Sequence, residues 1–538
     1  MATVAERLAE KLAELGIRYV FGVPSGNWVD YGEALRKTED IDFVLVSNEA
    51  CAGFMADAYW RSTGKMAACF GTFGPGACNL STGVCCGFLD RSPMLAFADE
   101  MSDSMLYRTT QMNIDQQSFF KPISKFQTRL RPDRVGETVY QAYEIAVSER
   151  PGPVYIGLPS GMGMDEAIEE YVKPLSLKRV PVADQTTLAQ MEEIFKKSRK
   201  PLLALGITSI RADVRPLIIR IAEKFEVPVV LTPMAKGMVP EDHPCYAGVL
   251  AHALSDQVGL THQQADLIVG IGYDPVEINY EDWMPDVPLL NIDTRPADLD
   301  RTRFILGCDV VGDLNYSLRQ LEAIECPRKD WDLNSLAQRR KKMFARLEPA
   351  EGSFDSRAVL AGLREKLPRD GIMTCDVGAH LHLIGQQWPT PSPECQIMTN
   401  GCSSMGFGIP AAIAAKIGCP HREVCCVVGD GGFLMMVGEM ATALRLGTKV
   451  VFVLMSDQDL SLIRIKQERK GCKPYGTRLM DKDHISSDNF FGVPVLGASN
   501  VREYRDALDK AFAADNPVII KASVTKADYE GLILRGNK

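Results

Sequence analysis

A chain of 538 residues with 46% hydrophobic and 24% charged side chains is globular in type and too long for one core, so its length suggests about three domains. The net charge of −9, from 60 basic against 69 acidic side chains, argues against nucleic acid as a partner, and no aromatic-basic stripe contradicts this. No uninterrupted apolar run approaches the length of a membrane span, so no membrane partner is expected either.

The fifteen cysteines include two vicinal pairs, Cys85-Cys86 and Cys425-Cys426, but no CxxC spacing. Most lie in apolar runs, as free buried thiols do, which predicts a reducing, cytoplasmic compartment. His380-x-His382 has no third ligand at a suitable spacing and gives no zinc site.

In chain order, residues 1–170 read as a first α/β unit. Thr3-Val4-Ala5-Glu6 is a capping box opening a helix, not a signal peptide. That helix carries Val4, Leu8, Leu12 and Leu15 and stops at Gly16. A strand from Arg18 to Pro24 runs into a turn at Ser25-Gly26. A second, Phe43 to Val46, delivers Ser47-Asn48-Glu49 to a helix start. There a carboxylate is favoured by the helix dipole even without a function. A third strand, Met66 to Phe70, leads into Gly71-Thr72-Phe73-Gly74-Pro75-Gly76-Ala77-Cys78-Asn79 and another helix. Leu95 to Phe97 is a further strand, a polar loop holds Gln111, and Pro153 to Ile156 closes the unit.

Residues 185–325 form a second unit, with strands at Leu202–Leu205, Val227–Leu231, Leu267–Gly270 and Leu289–Ile292. Gly270-Ile271-Gly272 after a strand is weak evidence for a dinucleotide. The stretch 327–352, with Arg339-Arg340-Lys341-Lys342, is predicted to be a linker helix with a solvated basic face.

Residues 355–538 form the third unit. Cys375-Asp376-Val377-Gly378-Ala379-His380 ends its first strand, and Asn400-Gly401-Cys402-Ser403-Ser404-Met405-Gly406 precedes a helix. The run Val424 to Val428 breaks into Gly429-Asp430-Gly431-Gly432. Leu434, Val437, Met440, Ala441 and Leu444 then follow at helical spacing. Val450 to Met455 ends in Ser456-Asp457-Gln458-Asp459. In parallel sheets ligands sit beyond the carboxyl ends of strands, so Asp430 and Asp457 should face one pocket. Oxygens from two loops beside free backbone NH groups suit a hard cation bridging a phosphate. A plain crossover with acidic ends by chance is the alternative for this segment alone.

Gly429-Asp430-Gly431, followed 27 positions later by Asp457, resembles the metal-diphosphate motif of thiamine diphosphate (ThDP) enzymes. The strand, Glu49, helix, strand and GPGxxN series resembles the pyrimidine-binding domain of the same family. The resemblance implies three doubly wound parallel-sheet α/β domains: pyrimidine-binding over 1–170, Rossmann-like over 185–325, diphosphate-binding over 355–538. It implies Mg²⁺ held by Asp430, Asp457 and the carbonyl of Asp459, with Gly429, Gly431, Gly432, Leu460, Ser461 and Leu462 around the diphosphate. Asp457 departs from the usual Asn and adds a negative charge there. Pro24, Asn79, Ser403 and Met405 are implied at the cofactor, Met405 as the apolar prop that bends it and Ser403 through its carbonyl. Glu49 would share a proton with N1′ of the aminopyrimidine, Gln111 would point at the reacting carbon, and His380 would lie near the diphosphate. Asn48 stands where a His is often found.

The segment Ile271-Gly272-Tyr273-Asp274-Pro275 is similar to FAD-free, catabolic acetolactate synthases, so FAD is not expected. Family members join as dimers with the active site at the subunit interface, so a homodimer or homotetramer is implied. The activity implied is acetolactate synthase-like: decarboxylation of a pyruvate-like 2-oxo acid with ligation to a carbonyl acceptor. Ile465 stands where biosynthetic relatives have Trp, and Phe73 replaces a smaller residue, which keeps a non-ligating decarboxylase or a 2-hydroxyketone lyase open. A catalytically silent ThDP-like or FAD-binding scaffold is the reading from another class, and Glu49 argues against it. The segment 528–534 is a candidate cover for the site.

Overall fold

A computed structural model describes residues 2–168, 172, 175–480, 488–525, 529 and 531–533. The first helix, Val4–Glu14, begins as predicted: Thr3 Oγ1 accepts from the Glu6 backbone and Glu6 returns a bond to the Thr3 backbone N at 2.9 Å.

Three sheets follow in chain order. The first holds β1 (Tyr19–Gly22), β2 (Asp42–Leu45), β3 (Ala67–Gly71), β4 (Met94–Glu100), β5 (Phe126–Arg129) and β6 (Val154–Pro159), in the order 2-1-3-4-6-5. The second holds β7 (Pro201–Leu205), β8 (Val229–Leu231), β9 (Tyr246–Val249), β10 (Leu267–Ile271), β11 (Leu289–Asp293) and β12 (Leu306–Val311), in the order 12-11-10-7-8-9. The third holds β13 (Ile372–Cys375), β14 (Gln396–Met398), β15 (Val424–Gly429), β16 (Val450–Ser456), β17 (Asn489–Phe490), β18 (Val493–Ala498) and β19 (Val518–Ser523), in the order 14-13-15-16-19-18-17. All pairings are parallel except β17 with β18. Parallel sheets need both faces covered, which is why the central strands read as unbroken apolar runs such as Val450–Met455. This is the doubly wound α/β architecture the sequence predicts, three times over.

Strand order reverses between β1 and β3, between β7 and β10, and between β13 and β15. These are the three points where a ligand crevice can open. The first and third sheets share one core through the helix Glu49–Thr63, which packs between the helices Pro75–Leu89 and Gly408–Gly418. Close approach requires glycine there: a Cβ on Gly53 would lie 2.5 Å from the Gly83 carbonyl carbon.

Two expectations are corrected, and a third lies partly outside the described residues. The helix after Gly429 is two, Asp430–Met436 and Glu439–Arg445, and Leu434, expected on the buried face, is 42% exposed. The predicted linker is docked: its helix Leu333–Leu347 stacks Phe344 on Tyr246, and the Arg340 guanidinium donates to the His243 carbonyl instead of facing solvent. The candidate cover 528–534 falls partly outside the described residues, and Tyr529, Leu532 and Ile533 within it are buried.

Candidate functional site

At the β13–β15 switch point one buried carboxylate organises the chain. Asp376 Oδ1 accepts from the backbone NH groups of Val377 at 2.8 Å and Gly406 at 3.0 Å, and Oδ2 accepts from Gly408 at 2.9 Å. Its carboxyl is pushed up to about 6 by burial, against those backbone bonds. A Cβ on Gly432 would lie 2.5 Å from Asp376 Oδ1, so the second glycine of the Gly431-Gly432 pair is needed for this approach. The sequence pattern alone did not mark Asp376 as an organising residue, although an Asp ending an apolar strand three positions before Ala379 was a signal.

Around it the predicted residues converge. His380 is buried, a Cβ on Gly429 would touch its ring at 3.3 Å, and its Nε2 has no hydrogen-bond partner. Burial lowers the imidazole to about 4, so it is neutral at neutral pH. Met405 Cε and Leu460 Cδ2 would lie 2.6 and 2.9 Å from a Cβ on Gly431, which places both side chains over the Gly-Asp-Gly turn. Met405 sits in a turn ahead of the helix Gly408–Gly418, not within it. Ser403 is held at φ +52°, a left-handed backbone that a residue with Cβ rarely adopts, and its hydroxyl donates to the Asn400 carbonyl at 2.9 Å.

The acidic ends of β15 and β16 meet. Asp430 Oδ2 accepts from the NH groups of Asp457 at 2.8 Å and Gln458 at 2.7 Å, with Gln458 at φ +61°. Asp430 Oδ1 is buried and has no hydrogen-bond partner, and burial raises that carboxyl. Asp457 accepts from the Asp459 NH at 3.1 Å and from the Ser461 hydroxyl. Its carboxyl is raised to about 6, by burial first and by the charges of Asp430 and Asp459 after it. The Asp459 side chain faces the Arg464 guanidinium at 3.7 Å. Leu460 and Leu462 are half-buried and Ser461 is buried at the start of the helix Ser461–Arg469. An orphaned, buried carboxylate oxygen beside a second carboxylate is a donor set suited to a hard divalent cation.

The first sheet carries the other group. Glu49, 8% exposed, opens its helix, and Asn79 Nδ2 donates to its Oε2 at 3.0 Å. Its Oε1 would lie 3.1 Å from a Cβ on Gly76, so the Gly-Pro-Gly turn folds directly against the carboxyl. Pro24 follows β1 on the same edge and is exposed. Gln111 lies on an exposed turn. The buried glutamine of that loop is Gln116, which accepts from the Gly74 NH at 3.0 Å and donates to the Asp99 carbonyl and the Tyr155 hydroxyl, both at 2.8 Å. Among the described contacts, Glu49 is joined to its own turn and not to the Asp430 group. The chain around Glu49 meets the third sheet elsewhere, where the Ser47 NH donates to Glu439 at 2.7 Å.

The second sheet's switch point is closed. A Cβ on Gly206 would lie 2.5 Å from the Gly272 carbonyl oxygen, one on Gly272 2.4 Å from the Ser209 NH, and one on Gly270 2.0 Å from the Tyr280 hydroxyl. The glycines of this Gly-Ile-Gly turn thus serve packing within the chain.

Three family models match. Residues 2–119 match the N-terminal TPP binding domain of thiamine pyrophosphate enzymes, 188–321 their central domain and 376–522 their C-terminal TPP binding domain. The chain is 27% identical to a probable acetolactate synthase large subunit of Methanocaldococcus jannaschii, over 99% of this chain and 94% of that protein. It is 29% identical to an acetolactate synthase of Arthrospira platensis, over 97% and 94%. To the acetolactate synthase large subunit of Lactococcus lactis the identity is 27%, over 98% and 93%.

Proposed function

This chain belongs to the thiamine pyrophosphate enzyme family, and from that membership we propose that it is an acetolactate synthase-like carboligase acting on pyruvate or a close 2-oxo acid. The observation that carries the reading is the unpartnered, buried Asp430 Oδ1 at the β15 end, matched by a carboxyl, Glu49, at the first sheet's edge. Asp430, Asp457 and the Asp459 carbonyl would hold Mg²⁺ against the diphosphate, and the engagement of the Asp459 side chain by Arg464 leaves its carbonyl for that role. When bound, ThDP would supply a carbon nucleophile and a cationic ring that takes up the electron pair left as CO₂ departs from the 2-oxo acid.

Glu49 would exchange a proton with N1′ of the aminopyrimidine, with Asn79 fixing the orientation of the carboxyl. The Ser403 carbonyl, presented by its left-handed backbone, would accept from the 4′-amino group, and Met405 would prop the ring. Neutral His380, with Nε2 open, can take or give one hydrogen bond near the diphosphate without adding charge. Because the Glu49 and Asp430 groups lie apart, a second copy would complete each site. The exposed Leu434 and Met435, four and five residues after Asp430 on the same helix, are the apolar surface it would cover. A homodimer, or a pair of them, is the functional unit, and a cytoplasmic setting agrees with fifteen free cysteines among the described residues. No helix among those residues is long and apolar enough to cross a membrane. The closed second switch point supports a chain that works without FAD.

Non-ligating decarboxylation is the second reading. Ile465 is 4% exposed, so it gives an acceptor little to dock on. With pyruvate as sole substrate, mass spectrometry should find acetolactate, or acetoin after acid treatment, in excess of acetaldehyde. Acetaldehyde in excess would select the decarboxylase, and no turnover of pyruvate would move the search to other 2-oxo acids.

A further inference from the structure

The residue that follows the helix Pro75–Leu89 is an acid in a poor place for one. Asp90 caps that helix at its C-terminal end, where the helix dipole disfavours a negative charge. It is 1% exposed, and through Cys86 it neighbours a second buried carboxylate: Cys86 Sγ lies 3.5 Å from Asp90 Oδ2 and 3.6 Å from Asp57 Oδ2. Burial, the dipole and a like charge all work against an ionised group. What offsets them comes from the third unit and from Arg61. Asp90 Oδ1 accepts from the backbone NH groups of Gly401 at 2.9 Å and Cys402 at 3.1 Å, and the Arg61 guanidinium stands 3.9 Å from Oδ2. Arg61 also donates to the Met398 carbonyl at 2.7 Å, at the end of the strand that leads into the same loop.

A Cβ on Gly401 would lie 2.7 Å from Asp90 Oδ1 and 2.6 Å from the Leu89 carbonyl oxygen, so glycine is needed for the loop to reach this carboxylate. Ser403 comes two residues later, at φ +52°. A residue with a Cβ keeps such a backbone where the chain on both sides is fixed. Asp376 fixes the far side through the Gly406 and Gly408 NH groups, and Asp90 fixes the near side through Gly401 and Cys402. The two carboxylates belong to different units: Asp376 follows β13 of the third sheet, whereas Asp90 reaches the loop from the first. A tie between units would serve stability wherever it fell. This one falls on the residue before Ser403.

We propose that Asp90 is a positioning residue for ThDP: its hold on the Gly401 and Cys402 NH groups sets the direction of the Ser403 carbonyl and the place of Met405, the two groups assigned to the aminopyrimidine and to the bend of the cofactor. This rests on the ThDP reading above. Asp90 acts through the loop and not by touching the cofactor. Asp90→Ala removes the acceptor, whereas Asp90→Asn keeps an oxygen in the same place and drops the charge. The amide NH₂ of the Asn would face the Cys86 sulfur, whose own proton has Asp57 and Thr399 as further acceptors.

The test uses the full-length chain in two states. In the apo-protein, amide hydrogen–deuterium exchange read by mass spectrometry across residues 399–407 should speed up by about tenfold or more in Asp90→Ala, as expected when a charge-assisted hydrogen bond is lost, and return toward the parent in Asp90→Asn. In the holoenzyme with saturating ThDP and Mg²⁺, exchange of the cofactor's C2 proton in deuterium oxide is read by acid quench and NMR. Per bound ThDP it should slow by about tenfold or more in Asp90→Ala, the scale of a small misplacement, with Asp90→Asn again near the parent. Thermal unfolding measured alongside separates lost stability from lost placement, because C2 exchange counts only protein that holds cofactor. If Asp90→Ala does not fold, Gly401→Ala carries the test from the loop side, with the same two changes expected. Faster amide exchange with unchanged C2 exchange would make Asp90 a purely structural tie and overturn the proposal. Unchanged amide exchange overturns it as well, and so does an Asp90→Asn variant no better than Asp90→Ala. Failure of the parent to bind ThDP would sink the cofactor reading and this inference with it, whereas the other adverse outcomes sink this inference alone.

Discussion

At the switch point of the second sheet, Gly206 and Gly272 press against each other, and the acid that follows, Asp274, is held by Arg91 through two hydrogen bonds of 2.6 and 3.2 Å. At the switch point of the third sheet the acid is Asp430, one of its oxygens has no partner, and the adjacent His380 nitrogen has none either. The two regions share a reversal of strand order, parallel pairing at that point and glycine-bearing turns. What separates them is the acid that each turn delivers: Asp274 is paired within the chain, whereas one oxygen of Asp430 is left open. Buried polar groups are normally satisfied, so an open carboxylate oxygen beside a second carboxylate is a place where a cation can enter. The lesson is that a doubly wound sheet offers a crevice, and backbone packing together with the pairing of the acid at its mouth decides whether it stays open.

The largest effect should come from the counterpart of the third switch point on the first sheet. Glu49→Gln removes a proton donor while leaving the Asp430 group intact, so turnover should fall about 10²-fold or more with ThDP still bound. Steady-state kinetics beside a ThDP binding isotherm checks both halves, and near-normal turnover would remove Glu49 from its role.

The comparison itself is broken or kept by a matched pair of truncations. Asp430→Ala should lower ThDP affinity in Mg²⁺ by about 10²-fold while the fold survives, as expected of a lost metal ligand. Asp274→Ala should do the reverse. It leaves the Arg91 guanidinium, 13% exposed, without its carboxylate and should destabilise the protein by about 3–5 kcal/mol, with ThDP affinity unchanged in what remains folded. Equal effects of the two on ThDP affinity would mean that the second crevice is not closed in function.

A smaller effect is expected at Asp457. Asp457→Ala should weaken ThDP binding at fixed Mg²⁺, whereas Asp457→Asn should bind at least as well as the parent, because it keeps an oxygen and removes a charge beside the diphosphate. Titration of apo-protein at several Mg²⁺ concentrations separates the two, and an unchanged affinity in the Ala variant would place the ligand elsewhere.

The smallest effect is a slope. Burial raises the carboxyl of Asp293, at the β11 end, from 3.8 to about 7, against the Thr294 NH and Arg211, which lower it. The folded chain then keeps a proton that the unfolded chain has already released. Stability from this group therefore falls as pH rises from about 4 to about 7 and is level above. Denaturant midpoints across that range should decline less in Asp293→Asn than in the parent. Identical slopes would show that Asp293 does not carry this linkage.

Much of this architecture was legible because strongly apolar strands end in glycine and an acid, a pattern that sheet geometry turns into a pocket. The residues around Asp430, Asp457, Met405 and His380 do come together. Other features depended on contacts that periodicity does not encode. Val437, Met440 and Leu444 keep helical spacing across a helix break at Gly438, because spacing records face and not continuity. Gln116, not the exposed Gln111, is bonded to the Gly-Pro-Gly turn, and a polar loop offers no period by which to choose between them. The role of Asp376 is not encoded locally, because two of its three backbone partners, Gly406 and Gly408, lie 30 and 32 residues away along the chain. Strand β5, half-buried along its whole length, gave too weak an alternation to be seen.

The helix Glu49–Thr63 has a bearing on how the protein is made. One of its two packing partners, Pro75–Leu89, is translated at once, but the other, Gly408–Gly418, emerges more than three hundred residues later. At about 5–20 residues per second, the apolar side around Phe54 waits for roughly 20–70 s with no Phe407 to cover it. During synthesis the nascent first unit therefore presents a long-lived sticky surface to the ribosome exit and its attendant chaperones, and the chain cannot finish folding from its N-terminus forward.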